Sequence, residues 1–133
     1  MMRALIVALA FGAGLPISAF AQDVPKFAEA ISPGGEAKLA WQDYMAVMKP
    51  DGALDTKTKE LIGLAVAAQI PCQYCIYAHT LGAKHAGATE AQIKEAIGAS
   101  ALVRKMSTEL NGNQYDLDAF KKEISAAYGV PSQ

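Results

Sequence analysis

The chain has 133 residues, 52% of them hydrophobic and 19% charged, with a formal net charge of −1. That length supports one domain with a modest core, and the lack of a basic block gives no reason to expect nucleic acid or an anionic membrane surface as partner. Two cysteines are too few for a disulfide-framework protein.

Arg3 precedes an apolar run from Ala4 to Leu15, and Ala19-Phe20-Ala21 closes the segment before Gln22. A positive start, a short apolar middle and a small-x-small end make the order of a secretory signal peptide. The run is shorter than the roughly 20 residues that a membrane span needs. The sequence therefore predicts a signal peptide over 1–21, a mature domain over 22–133 and a periplasmic or secreted location. Outside the cytoplasm a bond between the two cysteines is allowed.

The mature chain reads as all-α, since no alternation of apolar and polar residues is long enough for a strand. A loose segment from Asp23 to Pro33 ends at Gly34-Gly35. Glu36 to Lys49 then sets Leu39, Trp41, Tyr44, Met45 and Met48 near one helical face, and Pro50-Asp51-Gly52 stops it. Asp55 is placed to cap a helix reaching Gln69, whose body, LIGLAVAAQI, is apolar nearly all round and so central to the fold. Pro71 suits the first turn of a third helix, from Cys72 to Ala86, closed by Gly87. Thr89 and Gln92 form a capping box opening a long helix toward Leu110. The NGNQ stretch interrupts it. Asp116 caps a last helix with Leu117, Phe120, Ile124 and Tyr128 on its face, ended by Gly129 and Pro131.

The chemistry concentrates in IPCQYCIYAHTLGAKHAG, residues 70 to 87, which holds both cysteines and both histidines. At about 100° per residue, Cys72, Cys75 and His79 share one helical face, while His85 points nearly opposite. Four readings compete. A structural disulfide closes too short a loop to stabilise by more than roughly 2 kcal/mol. Helical i, i+3 spacing also leaves the Cβ atoms about 5–6 Å apart, wider than a relaxed disulfide. A closed zinc site needs four ligands, usually from two segments, and the chain has no second Cys/His segment. Haem attachment needs His directly after the second cysteine, where Ile76 stands. No metal and no cofactor is therefore expected. Two buried thiols beside a core histidine are ordinary, but nothing in that reading sets all three on one face. A reactive dithiol explains the arrangement better. A cysteine in the first turn of a helix feels the positive end of its dipole, and a nearby imidazolium favours thiolate further. Glu60, upstream, is either a solvated first-turn carboxylate or a half-buried partner that orients His79. Spacing does not choose between them.

Glu60 with Leu61, Leu64 and Ala65, then Cys72-x-Tyr74-Cys75-x3-His79, then Gly87-Ala88-Thr89 before a helix, resembles the AhpD-like (carboxymuconolactone decarboxylase) superfamily. The resemblance is strongest over 57–103. It implies an AhpD-like helical bundle working as a homo-oligomer, a trimer or hexamer, and thiol-dependent reduction of small hydroperoxides. By the same resemblance Cys75 attacks the peroxide, Cys72 resolves and meets a thiol reductant, and His79 with Glu60 relays protons. Tyr74 stands between the cysteines where the family often has histidine, which implies a simpler relay and weaker activity. Two alternatives remain. One is a decarboxylase acting on a small lactone acid, which does not need the cysteines. The other is a non-catalytic helical oligomer or binding protein with the disulfide as a staple.

Overall fold

The computed structural model describes residues 24–132, so the expected signal peptide lies outside the described residues. Six helices form among the described residues: α1 (Lys26–Ile31), α2 (Glu36–Met48), α3 (Thr56–Gln69), α4 (Gln73–His85), α5 (Glu90–Gly112) and α6 (Leu117–Ala127). No strand occurs among the described residues, and no helix among them is long and apolar enough to cross a membrane. The chain divides into two compact units, one ending at Val47 and one beginning at Met48.

In the first unit, residues expected to be loose form α1, a helix of six residues. Its Phe27 ring meets Trp41 of α2 edge-on at 5.9 Å, and Trp41 stacks on Tyr44 at 5.3 Å. Such aromatic pairs contribute roughly 0.5–1.5 kcal/mol beyond their burial. Leu39, expected on the same stripe, is exposed.

The second unit is built around α3, which packs against both α4 and α5. Its start follows the sequence signal: the Asp55 carboxylate accepts from the Thr58 backbone N–H at 2.7 Å. The core is small. Leu64, Ala83 and Ile93 are buried at its centre, with Leu61, Ile76 and Ala88 packed around them. Fully burying a leucine or isoleucine stabilises by about 1.5–3 kcal/mol, and Leu64 and Ile93 are the two buried side chains of that size here. At the far end of α3, Arg104 of α5 donates to the Gln69 side chain at 2.7 Å and to its backbone carbonyl at 3.1 Å. That cation satisfies a terminal helix carbonyl and ties α5 to α3.

Helix α4 ends as its sequence predicts. Gly87 takes φ +83°, and the Ala88 N–H donates to the Ala83 carbonyl at 2.8 Å, a closure that needs a left-handed residue best supplied by glycine. The Thr89–Gln92 capping box opens α5 with both reciprocal hydrogen bonds. The helix runs on through Asn111 and Gly112, beyond the expected stop near Leu110. Amides on Asn111 and Asn113 bond back to carbonyls four residues earlier, and the left-handed turn falls on Gln114. Asp116 caps α6 through the Ala119 N–H at 2.7 Å.

Candidate functional site

The site is assembled where α3 runs into α4. Ile70 closes α3, and Cys72 is the N-cap of α4 in extended backbone, with φ −85° and ψ 99°. Pro71 therefore precedes the cap rather than occupying the first helical turn. Cys72 has two roles here. Its N–H donates to the Ala67 carbonyl at 3.1 Å, closing α3, while its Sγ accepts from the Cys75 N–H at 3.2 Å, opening α4. Sulfur thus takes the position that Ser or Asp oxygen usually fills at a helix start.

Cys72 and Cys75 are joined by a disulfide, with Cα atoms 5.3 Å apart, inside the usual span of about 4.4–6.8 Å. The expectation that helical spacing works against the bond is corrected by the cap. Only Cys75 is helical, so the wide Cβ separation of two helical residues at i, i+3 does not apply. Both cysteines are half-buried, at the end of α4 where backbone N–H groups and the helix dipole favour negative charge. Tyr74 between them points outward and is 89% exposed.

His79 lies one turn beyond Cys75 on α4, and Glu60 lies in the first turns of α3. Their side chains meet: His79 Nδ1 and Glu60 Oε2 are 2.8 Å apart, with the side chains only 16% and 7% exposed. An ionised carboxylate only accepts hydrogen bonds, so against it Nδ1 is the donor of this pair. Of the two readings kept for Glu60, the buried partner of His79 is the one the structure adopts. His85 sits in the last turn of α4 and is exposed. Among the described residues, no three His, Cys, Asp or Glu side chains converge in a way that would hold a metal ion.

Two residues at the site carried no signal in the sequence reading, Gly63 of α3 and Gly82 of α4. The His79 ring lies against the first and the Glu60 carboxyl against the second. Each glycine stands three residues after the polar group on its own helix, a spacing visible in the sequence but meaningless without the crossing partner.

Comparison with known proteins fixes the family. The model of the carboxymuconolactone decarboxylase family matches residues 35–115, more than half of the chain. The chain belongs to this family. A protein of the cox locus of Paracoccus denitrificans, itself uncharacterised, is 38% identical over 95 residues, covering 68% of this chain and 86% of that protein. An uncharacterised protein of Cupriavidus necator is 38% identical over 61 residues, covering 46% of this chain and 54% of its own. The crystal structure of an alkylhydroperoxidase AhpD core from Rhodospirillum rubrum superposes with a TM-score of 0.64 at 30% identity, over 73% of this chain and 72% of that one. The expected AhpD-like all-α fold and superfamily membership are therefore both found. The family match is also wider than the 57–103 core on which the sequence resemblance rests.

Proposed function

We propose that this protein is an exported dithiol peroxidase that reduces small hydroperoxides, with Cys75 attacking and Cys72 resolving. One observation carries the reading: a cysteine pair already joined at a helix start, one turn from a buried carboxylate–imidazole pair. A staple needs no such neighbour, whereas a nucleophilic thiol needs a base held in a fixed orientation.

In the reduced protein His79 takes the Cys75 proton, Glu60 stabilises the imidazolium, and the helix dipole supports the thiolate. The thiolate attacks one peroxide oxygen. The O–O bond breaks and the departing alkoxide takes the proton from His79, leaving a sulfenic acid on Cys75. The Cys72 thiol then attacks the Cys75 sulfur, and the sulfenic oxygen leaves as water with the Cys72 proton. Two thiols and one hydroperoxide give one disulfide, one alcohol and one water. A dithiol reductant returns two electrons and two protons through exchange at Cys72.

Export rests on the signal-peptide order of residues 1–21 and sets the working place as the periplasm or the exterior. There the reductant is a thiol protein or small dithiol of that compartment. A trimer or hexamer of this chain is supported by the large apolar side chains that one copy leaves exposed, including Ile62, Val66, Ile70, Leu102 and Val103.

The test is stoichiometric. Reduced protein is mixed with hydrogen peroxide or an organic hydroperoxide, and free thiols are counted. The expected result is loss of both thiols per peroxide consumed, with the Cys72–Cys75 bond re-formed, and no peroxide consumption by Cys75→Ser. Thiols that survive a large excess of peroxide end the proposal.

A further inference from the structure

The Glu60–His79 pair is set by more than its own hydrogen bond. Helix α3 carries Glu60 and, three residues on, Gly63; helix α4 carries His79 and, three residues on, Gly82. The two helices exchange these groups. A Cβ built on Gly63 would stand 2.6 Å from His79 Nδ1 and 2.8 Å from Nε2. A Cβ built on Gly82 would stand 2.6 Å from each carboxylate oxygen of Glu60. Real Cβ atoms do not approach their neighbours below 3.0 Å. Each helix therefore offers one polar side chain and one notch, and each notch holds the other helix's side chain.

Mid-helix glycine is the poorest choice for helix stability after proline, so its use at both positions calls for a reason. Gly98 provides the contrast. It too lies inside a helix, but a Cβ there would meet nothing within 4 Å. Among the helical glycines described, close approach is thus confined to the two at the site. With the imidazole lying against one helix backbone and the carboxyl against the other, Nδ1 meets Oε2 at 2.8 Å. Pre-setting a base in this way means that no side-chain freedom has to be lost when it takes a proton.

We propose that Gly63 and Gly82 are positioning residues, a reciprocal pair of notches that fixes the Glu60–His79 relay and through it the acidity of the Cys75 thiol. The last link rests on the peroxidase reading, and the notch pairing does not.

The experiment uses the full chain, reduced, in four variants: Gly63→Ala, Gly82→Ala, Gly98→Ala and His79→Ala. In a Cys72→Ser background the Cys75 thiol is titrated by its alkylation rate against pH, and stability is followed by urea unfolding. Gly63→Ala and Gly82→Ala are expected to slow alkylation at pH 7 about tenfold and to move its midpoint upward, toward that of His79→Ala. Gly98→Ala is expected to leave the midpoint in place at equal or greater stability. Loss of stability with an unmoved midpoint, in variants that fold, overturns the proposal.

Cross-rescue decides the matter even where a single variant fails to fold. Gly63→Ala should be tolerated with His79→Ala and not with Glu60→Ala, and Gly82→Ala with Glu60→Ala and not with His79→Ala. Rescue that ignores this pairing overturns the notches. A wild-type midpoint that does not respond to His79→Ala sinks the peroxidase relay instead, while crossed rescue still upholds the pairing.

Discussion

The two sides of α3 are finished to different degrees. Toward α4 it presents Glu60, set against Gly82, and Gly63, set against His79, while Leu64 is buried with Ala83 of α4 and Ile93 of α5. Its other side carries Ile62, Val66 and Ile70, each at least half exposed. Between α3 and α5 an apolar groove of about 520 Å³ stays open, lined by residues such as Leu61, Ile62, Ala65, Val66, Ala99 and Val103. The first side carries the Glu60–His79 pair. The second has apolar surface still to bury. The candidate site is thus built by close packing of small residues within one chain, and the proposed assembly would use the exposed apolar side.

Cutting into the finished side should have the largest effects. Cys75→Ser is expected to bring peroxide consumption, measured with dithiothreitol as reductant, down to the uncatalysed level. Glu60→Gln keeps the shape of the side chain but removes the charge that the proposed relay uses to stabilise an imidazolium. A loss of about 10²-fold in rate is expected, in the range of general acid–base effects, with the pH profile moved upward. Leu64→Ala should cost about 2–5 kcal/mol in urea unfolding, as buried leucines do.

The unfinished side should respond differently. Val66→Asp places a charge in the open groove, and sedimentation is expected to show smaller assemblies with the thiol chemistry per chain kept. If Val66→Asp instead abolished peroxide reaction while leaving the assembly intact, the division of labour between the two sides would be wrong. The smallest expected effect is at the helix start. The hydrogen bond from the Thr58 backbone N–H holds the Asp55 carboxyl below its ordinary value. A carboxyl lowered by folding stabilises above its unfolded pKa and loses that contribution as pH falls through the folded one. Asp55→Asn keeps an N-cap without titrating, so its urea midpoint should fall less than that of wild type between about pH 5 and pH 3.

What could be read from the sequence follows the range of the interaction involved. The starts of α3, α5 and α6 were legible because Asp55, Thr89 with Gln92, and Asp116 cap within three residues of themselves. Helix α1 was not, since it has no side-chain cap and only six residues. The end of α5 was misread because asparagine side chains bonded back along the helix and carried it through a stretch that reads as a break. At the site, the shared face of Cys72, Cys75 and His79 was visible in spacing. That Cys72 is a cap was not, and this removed the objection to the disulfide. Glu60 and His79 are 19 residues apart, so their meeting depends on how closely α3 and α4 approach. The roles of Gly63 and Gly82 depend on that same approach, and no pattern along one helix reports it.

The most direct measurement of the central claim, that Cys72 and Cys75 form a working redox couple, is the reduction potential of the pair by equilibration with a dithiol buffer. A working couple is predicted to lie in the range of catalytic dithiols, about −120 to −270 mV. A value well below about −300 mV, where structural disulfides lie, would contradict the account and leave the bond as a staple.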